Sequence, residues 1–252
     1  MVRPKKHLGQ HFLTDRNIAR NTIEGLHFPV ENLLEIGPGK GILTELIREK
    51  EVGSFKVVEI DSESVEYLRQ KFPAFDDHIL EEDFLKLDLS TIFPGKFSII
   101  GNFPYNISSQ ILFKVLAYRN QVEEVVGMFQ KEVADRIVSP PGNKTYGILS
   151  VLIKAFYNVE YLFTVNEGVF FPPPRVKSAV IRLRRNERKK LDCDEKLFFD
   201  VVKAGFNQRR KVLKNALSKY EFKPDTKLND MLRKRAEELT VSDFEFVTGL
   251  VT

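Results

Sequence analysis

The sequence predicts an α/β protein with a Rossmann-like, doubly wound sheet, followed by a small α-helical domain. Strand-like and helix-like runs alternate through most of the chain, as they do in successive βαβ units. A glycine-rich turn joins the first long apolar run to a helix, which is typical of this architecture. Beyond a charged linker at residues 186–190, helical spacing continues without strand signals. We therefore place one domain at residues 1–185 and a helical domain at residues 186–252.

The individual elements follow from the apolar pattern and from the residues that interrupt it. An arm at residues 1–13 precedes a helix for which Thr14 or Asp15 is the N-cap. Pro73 ends a later helix because proline has no amide hydrogen to donate. Strands are predicted at residues 32–37, 54–61, 78–83, 97–103, 124–129, 161–165 and 178–183, and helices at residues 41–50, 62–71 and 107–118.

Composition excludes several classes of protein. Hydrophobic residues make up 42% and charged residues 29% of the chain, the balance of a soluble globular protein. No apolar run approaches the length of a membrane span or of a signal peptide. The single cysteine, Cys193, excludes a disulfide scaffold and favours a reducing cytoplasm. His7 and His11 are four residues apart, but no further ligand accompanies them, so we predict no metal site and no membrane association.

Basic residues are concentrated in one part of the chain. Residues 171–220 hold 15 Lys and Arg against 5 Asp and Glu, a local net charge of +10 in a chain whose total is +4. The remaining residues therefore carry a net charge of −6. A basic segment attached to an acidic body is typical of polyanion binding, and a solvated helical face is an equally good interpretation of charge alone.

The segment Glu-Ile-Gly-Pro-Gly-Lys-Gly at residues 35–41 follows a predicted strand and opens a helix. Glycines at such a turn allow a ligand to approach the backbone closely. A dinucleotide fingerprint reads G-x-G-x-x-G, whereas here the third glycine comes one residue early, at Gly41. The spacing resembles the S-adenosylmethionine loop of class I methyltransferases, with Gly37 and Gly39 at the cofactor. A purely structural turn and an NAD-binding fold are the alternatives.

Two acidic residues follow the next strands in order. Glu59 lies 18 residues past Gly41, where this topology presents a carboxylate to ribose hydroxyls. Asp83 ends the third strand and is predicted to accept a hydrogen bond from an adenine amino group. Their neighbours Ile60 and Phe84 are included in the predicted cofactor site.

The segment Asn102-Phe103-Pro104-Tyr105 follows the fourth strand and resembles the acceptor loop of methyltransferases that act on planar amino nitrogens. The lone pair of such a nitrogen is delocalised, so the nitrogen is a poor nucleophile. The Asn102 side-chain oxygen and the Phe103 carbonyl are predicted to accept its two N–H bonds. Pro104 stiffens the loop, and Tyr105 offers a face on which a flipped base stacks.

Together these residues resemble one family, the ribosomal RNA adenine N6,N6-dimethyltransferases, over nearly the whole chain. The matching segments are GQHFL at 9–13, EIGPGKG at 35–41, VEID at 58–61, GNFPYN at 101–106, QKEVADR at 130–136, YGILS at 146–150, FFPPPRVKSAV at 170–180 and FNQRRK at 206–211.

The resemblance implies that S-adenosylmethionine methylates two adjacent adenosines near the 3′ end of small-subunit ribosomal RNA within an assembling particle. It implies cofactor contacts for Gln10, His11, Leu13, Gly37, Gly39, Glu59, Ile60, Asp83, Phe84 and Asn102, and RNA contacts for Arg209, Arg210, Lys211 and Lys214 on the turns of a helix. Phe170 would form the second wall of the adenine pocket opposite Tyr105, with Phe171 as the alternative. We expect a monomer.

Three other functions remain open at this point. One is a dimethylase of large-subunit ribosomal RNA. Another is a binding factor that checks ribosome assembly, with catalysis secondary. The last is an NAD-dependent oxidoreductase, which the early position of Gly41 disfavours.

Overall fold

The structure is a computed structural model that describes residues 2–252; Met1 lies outside the described residues. The chain forms two compact units, one of residues up to 134 together with 160–185, and one of residues 135–159 together with 186–252. The sequence-based division placed residues 135–159 with the first domain. In the structure they group with the C-terminal helices, because the apolar helix Ile148–Lys154 packs against the helix Glu195–Asn207.

The elements are numbered in chain order. The strands are β1 (Phe12–Leu13), β2 (Val30–Ile36), β3 (Val52–Glu59), β4 (Ile79–Glu81), β5 (Phe97–Asn102), β6 (Val122–Gln130), β7 (Tyr157–Val165), β8 (Phe170–Phe171) and β9 (Ser178–Arg185). The helices are α1 (Arg16–Ile23), α2 (Ile42–Ile47), α3 (Ser62–Lys71), α4 (Ser108–Ala117), α5 (Lys131–Val138), α6 (Ile148–Lys154), α7 (Glu195–Asn207), α8 (Leu213–Ala216), α9 (Thr226–Leu232) and α10 (Val241–Gly249).

The first unit is built on a mixed sheet of seven strands in the order β4-β3-β2-β5-β6-β9-β7. The neighbouring pairs from β4 to β6 are parallel, and β9 runs antiparallel to β6. The seven predicted strands and the α/β class are therefore confirmed. A separate antiparallel pair, β1 with β8, has no counterpart in the prediction, because two-residue strands leave no periodic signal.

Helix caps fix where two helices of this unit begin. The Asp15 carboxylate accepts from the amides of Asn17 and Ile18 at the start of α1. Asp61 accepts from the Glu63 amide at the start of α3.

Parallel pairing brings several chain positions to one edge of the sheet. Gly37 follows β2, Glu59 ends β3, Asp83 comes shortly after β4, and Asn102 ends β5. These strands are direct neighbours in the order β4-β3-β2-β5, so their carboxyl ends lie side by side. The edge is where ligands bind in open α/β sheets.

Two glycines in the sheet make room for the residue that follows Asn102. Gly101 on β5 lies in register with Gly127 on β6, and the Phe103 ring fills the space beside them. A Cβ on Gly127 would overlap the Phe103 ring and lie 2.7 Å from Phe129 Cε2. The two rings meet edge to face with centroids 5.0 Å apart, and Phe103 is 1% exposed. The start of the predicted acceptor loop is thus anchored in the core.

The second unit has a helical core of its own. Along α7, the side chains of Phe198, Val201, Val202 and Phe206 are buried. The Phe206 ring stacks on Phe244 of α10 with centroids 5.9 Å apart. Among residues 2–252, no helix is long and apolar enough to span a membrane.

Replacing Gly127 by alanine tests the space for Phe103. Because the new methyl group overlaps a buried ring, we expect Gly127→Ala to lower the free energy of unfolding by about 1–3 kcal/mol. Gly95→Ala is the matched control, since a Cβ there meets no heavy atom within 4 Å. Urea denaturation measures the stability of both variants. Equal denaturation midpoints for the two would show that the Phe103 ring does not depend on the space beside Gly127.

Candidate active site

A cleft at the carboxyl ends of β2 to β5 in the first unit gathers most of the predicted site residues. Among the residues that line it are Gln10, His11, Gly37, Gly39, Glu59, Ile60, Asp83, Phe84, Asn102, Phe103, Pro104 and Tyr105, all of them predicted, together with Gly9, Phe12 and Asn106, which were not assigned a role. Leu13, Phe170 and Phe171 do not line it. Gly9, Phe12 and Asn106 all belong to segments that resemble the family, at residues 9–13 and 101–106, so the sequence carries a signal for each of them.

The glycine turn after β2 has the backbone conformation that its sequence predicts. Gly39 has φ +55°, a left-handed conformation that side chains disfavour. A Cβ on Gly39 would lie 2.8 Å from the Phe12 ring, and the Gly39 amide donates to Glu59 at 3.1 Å. The positive φ and the Phe12 ring therefore require glycine at this position, and its backbone amide orients the carboxylate next to it.

Glu59 is a buried carboxylate that backbone amides hold in place. Its Oε2 accepts from the Gly39 amide and its Oε1 accepts from the Asp61 amide at 3.0 Å. Burial raises the pKa of Glu59, while these amide donors oppose the rise. Each oxygen has further lone pairs, so the group has the capacity to accept from a diol.

A second buried carboxyl, Glu35, lies under the glycine turn. The Thr44 hydroxyl donates to Glu35 Oε2 at 2.6 Å, and Glu35 is 1% exposed. Burial raises the pKa of Glu35 to about 8, with a further rise from Glu59, while Thr44 lowers it. Near neutral pH this group is therefore largely protonated, which limits repulsion between the two carboxyls.

Asp83 opens a short loop at one side of the cleft. Its Oδ1 accepts from the Leu85 amide at 2.9 Å, and its Oδ2 lies 3.9 Å from the Lys86 ammonium. Phe84, next in the chain, is 4% exposed and also lines the cleft. A carboxylate and an aromatic ring thus lie where the sequence predicts an adenine.

The acceptor loop is held from both sides. The Asn102 Nδ2 donates to the His11 carbonyl at 2.8 Å, and the Phe103 amide donates to the Met128 carbonyl at 3.1 Å. Because a carbonyl only accepts, this bond requires the amide nitrogen of Asn102 on the His11 side. The Asn102 Oδ1 consequently points away from the His11 carbonyl.

Tyr105 is fixed by a hydrogen bond and by a ring contact. Its hydroxyl lies 2.5 Å from the Ser178 hydroxyl, and its ring stacks on His11 with centroids 5.4 Å apart. Burial raises the pKa of Tyr105, so the phenol stays neutral. His11 Nδ1 lies 2.7 Å from the Pro172 carbonyl, which requires the proton on Nδ1 in the neutral imidazole.

The N-terminal arm is tied to the rim of the cleft by Asp61. Lys5 Nζ and Gln10 Nε2 both donate to its carboxylate, the second at 3.0 Å. Burial acts to raise the pKa of Asp61, but the hydrogen bonds from Lys5, Gln10 and Ser64 outweigh it and lower the pKa overall. Asp61 therefore caps α3 and also anchors the arm that carries His11.

The structure distinguishes the two phenylalanines predicted for the second wall of the adenine pocket. Its ring is 4% exposed and belongs to the hydrophobic core, because β8 pairs Phe170 with Leu13 and turns both side chains inward. The same register leaves Phe171 opposite Phe12 and 56% exposed. The Lys40 ammonium lies 5.8 Å from the Phe171 ring centroid. Of the two phenylalanines, Phe171 is the one with an exposed face.

Of the four basic residues predicted on a helix in the second unit, only Lys214 lies on one, α8. Helix α7 ends at Asn207, so residues 209–211 lie in a turn and not on a helix. Arg209 pairs with Glu237 at 2.8 Å and donates to the carbonyls of Lys144 and Tyr146. Its guanidinium therefore secures the turn, whereas the predicted Arg210, Lys211 and Lys214 are exposed.

A second basic run lies beside this turn and was missed. Val212 forms an antiparallel bridge with Arg235, and the Leu213 amide donates to the Lys234 carbonyl at 2.8 Å. Arg233, Lys234 and Arg235 are all exposed. These three residues belong to no recognisable motif, so the sequence alone does not distinguish a ligand-binding role for them from simple exposure to solvent.

Comparison with known proteins gives consistent matches over the whole length. The family model described as ribosomal RNA adenine dimethylase matches residues 1–245. A relative in Cytophaga hutchinsonii named ribosomal RNA small subunit methyltransferase A is 56% identical over 253 residues, which covers 100% of this chain and 98% of the relative. A relative of the same name in Bacteroides thetaiotaomicron is 54% identical, covering 100% of this chain and 95% of the relative.

Two solved structures are similar over nearly their full length. A dimethyladenosine transferase from Plasmodium falciparum has a TM-score of 0.78 and 25% identity, covering 96% of this chain and 99% of the other. The 23S rRNA methyltransferase ErmE has a TM-score of 0.69 and 25% identity, covering 94% of this chain and 99% of the other.

The raised pKa of Glu35 predicts how stability changes with pH. The folded protein holds this proton more tightly than the unfolded chain, so the group's contribution is complete below about pH 4.5 and is lost as pH rises through about 8. Glu35→Gln has no such loss. We expect the variant to gain stability relative to wild type, on the order of a few kcal/mol, between about pH 5 and about pH 9.

Urea denaturation at the two pH values measures this difference. A stability difference between variant and wild type that stays constant with pH would show that Glu35 is ionised in the fold.

Proposed function

The chain belongs to the ribosomal RNA adenine dimethylase family, and from this premise we propose a reaction, a substrate and a role for each site residue. It is an enzyme that methylates the N6 amino group of adenine in small-subunit ribosomal RNA. The products are N6,N6-dimethyladenosines at two adjacent positions near the 3′ end. The relatives at 56% and 54% identity, both named for the small subunit, favour this target over the large subunit.

The cleft fits S-adenosylmethionine on two counts. Around Gly37 the backbone is open to a ligand, because Gly37 lines the cleft and a Cβ there would meet only Pro104 Cδ, at 3.9 Å. Glu59 is oriented by two amides and retains acceptor capacity for ribose hydroxyls. The residues that would hold the cofactor are Gln10, His11, Gly37, Gly39, Glu59, Ile60, Asp83, Phe84 and Asn102. When bound, it supplies an electrophilic methyl group on a sulfonium.

Asn102 carries the chemistry on the substrate side. With its Nδ2 committed to the His11 carbonyl, its Oδ1 is the atom that accepts from the adenine N6 amino group. The Phe103 carbonyl is the second acceptor, on a residue anchored in the core. Two acceptors favour a pyramidal nitrogen with its lone pair directed at the methyl group. Positioning and electrostatic placement then supply most of the rate, and no strong base is needed.

The adenine is held between two rings. One face of Tyr105 lies against His11, and the Ser178 hydroxyl fixes the tilt of its ring, so the other face is the one for the base. We assign the second wall to Phe171, the exposed member of the pair, in place of Phe170. Stacking on aromatic rings contributes about 1–3 kcal/mol for each base.

The second unit supplies charge for the RNA backbone. Arg210, Lys211 and Lys214 lie beside residues 233–235, so six exposed cations form one basic surface. Phosphate contacts of this kind position the RNA without reading its sequence. The partner is an assembling small-subunit particle, which places the enzyme in the cytoplasm, and it acts as a monomer.

Methyl transfer to immature small subunits tests the reaction and its target together. The subunits come from a strain without its own dimethylase, and the product nucleoside is identified after digestion. We expect N6,N6-dimethyladenosine near the 3′ end of the small-subunit RNA. Dimethyladenosine formed only on large subunits assayed in parallel would overturn the target, and binding without transfer would favour an assembly factor.

Replacing Asn102 separates catalysis from particle binding. Asn102→Ala removes the acceptor for the amino group, and we expect kcat to fall by roughly 100-fold or more. Binding to the particle stays within about twofold, because the basic surface is untouched. Asn32→Ala is the matched control: its amide also donates to a carbonyl, that of Lys96, but at the opposite end of the sheet. Near-normal kcat in Asn102→Ala would refute its role.

The two phenylalanines are expected to respond differently to substitution. Phe171→Ala leaves the melting temperature unchanged and lowers kcat/KM for the particle roughly tenfold, because an exposed ring that stacks on substrate is lost. Phe170→Ala destabilises the fold by about 3–5 kcal/mol, because it empties a core position. Thermal melts and steady-state kinetics measure both. Full activity in Phe171→Ala would return the stacking role to Phe170.

A further inference from the structure

One lysine on helix α4 is bonded to the loop that carries Asp83. Lys114 Nζ donates to the Phe84 carbonyl at 2.6 Å and also to the Leu87 carbonyl. It lies 5.2 Å from the centroid of the Phe84 ring and is half-buried. A single ammonium therefore contacts the backbone of this loop at two points and one of its rings at a third.

This loop forms one wall of the cleft. Asp83, Phe84 and Leu85 line it, and within the loop the Lys86 and Leu87 amides donate to the Asp83 carbonyl at 2.9 and 3.1 Å. The internal bonds define the turn itself. The bonds from Lys114 fix the turn against a helix, and without them two carbonyls would lose a charged donor.

The helix concerned is the one that begins directly after the acceptor loop. Its first residue is Ser108, three residues beyond Tyr105. Lys114 thus connects the loop that carries Asp83 to helix α4, which follows the acceptor loop Asn102–Tyr105. Burial lowers the pKa of Lys114, and the carboxylates of Asp83 and Asp88 oppose this by favouring the charged form.

We infer that Lys114 is a positioning residue for S-adenosylmethionine, which it serves by holding the Asp83–Phe84 loop where the adenine is recognised. The inference rests on the proposed placing of the adenine against Asp83. Lys114 does not touch the cofactor in this account; it acts through the loop. Its loss is expected to weaken cofactor binding and leave the chemical step intact.

Lys56 provides a matched control for a merely structural role. Its Nζ donates to the Ile92 carbonyl at 2.9 Å and lies 5.5 Å from the centroid of the Phe93 ring. This contact is of the same kind, with one carbonyl where Lys114 has two, but neither Ile92 nor Phe93 lines the cleft. Loss of either lysine removes a comparable contact, and only one of them is next to the predicted adenine site.

The experiment compares Lys114→Met, Lys114→Arg, Lys56→Met and Asp83→Ala. Steady-state methylation of immature small subunits gives KM for S-adenosylmethionine and kcat. Calorimetric titration compares S-adenosylhomocysteine with S-inosylhomocysteine, in which a carbonyl replaces the adenine amino group. Circular dichroism confirms folding, and Lys114→Gln replaces Lys114→Met if the latter does not fold.

For Lys114→Met we expect KM to rise roughly tenfold with kcat within about twofold of wild type. The preference for the adenosyl over the inosyl ligand falls, because Asp83 is less well placed. Lys114→Arg restores most of the affinity since it retains charged donors, Lys56→Met has a wild-type KM, and Asp83→Ala has a raised KM.

Two results would overturn the inference. In the first, Lys114→Met has a lower melting temperature but a wild-type KM and a wild-type ligand preference, while Asp83→Ala loses affinity for the cofactor. Lys114 is then only a structural contact, and the adenine still lies at Asp83. If Asp83→Ala itself keeps a wild-type KM, the adenine lies elsewhere and both proposals fail.

Discussion

The hydrogen bond from the Asn102 side chain to the His11 carbonyl is the contact on which the site depends. It joins a residue at the end of a central strand to an arm that precedes the whole sheet in the chain. It also determines which atom of the Asn102 amide is turned away from the arm. Asp61 secures the same arm through Lys5 and Gln10, so the arm and the acceptor loop hold each other in place.

The electrostatic arrangement follows from burying two carboxyls at one edge of the sheet. Glu59 keeps its orientation through backbone amides, and Glu35 nearby is largely protonated at neutral pH. One group is thus available as an acceptor while the other avoids a second buried charge. Asp61, which caps α3, follows the same strand end. The turn after β3 therefore begins a helix, anchors the N-terminal arm and forms part of the cleft.

Much of this site could be predicted from the sequence, because the topology of the sheet determines which residues lie together at its edge. Once strands alternate with helices, the residues that follow each strand meet at one edge, and Gly37, Glu59 and Asn102 were predicted on that ground. The burial of Phe170 could not be predicted, since it depends on the register of a two-residue strand with a segment distant in sequence. The ion pair of Arg209 could not be predicted for a similar reason, because its partner Glu237 comes from a remote part of the chain.

The most direct test of the account is a crystal structure with S-adenosylhomocysteine bound. We expect the ribose hydroxyls to lie within hydrogen-bonding distance of Glu59, the adenine amino group to lie at Asp83, and the sulfur to lie on the side of Asn102. A ligand bound outside this cleft, or a ribose that makes no contact with Glu59, would contradict it.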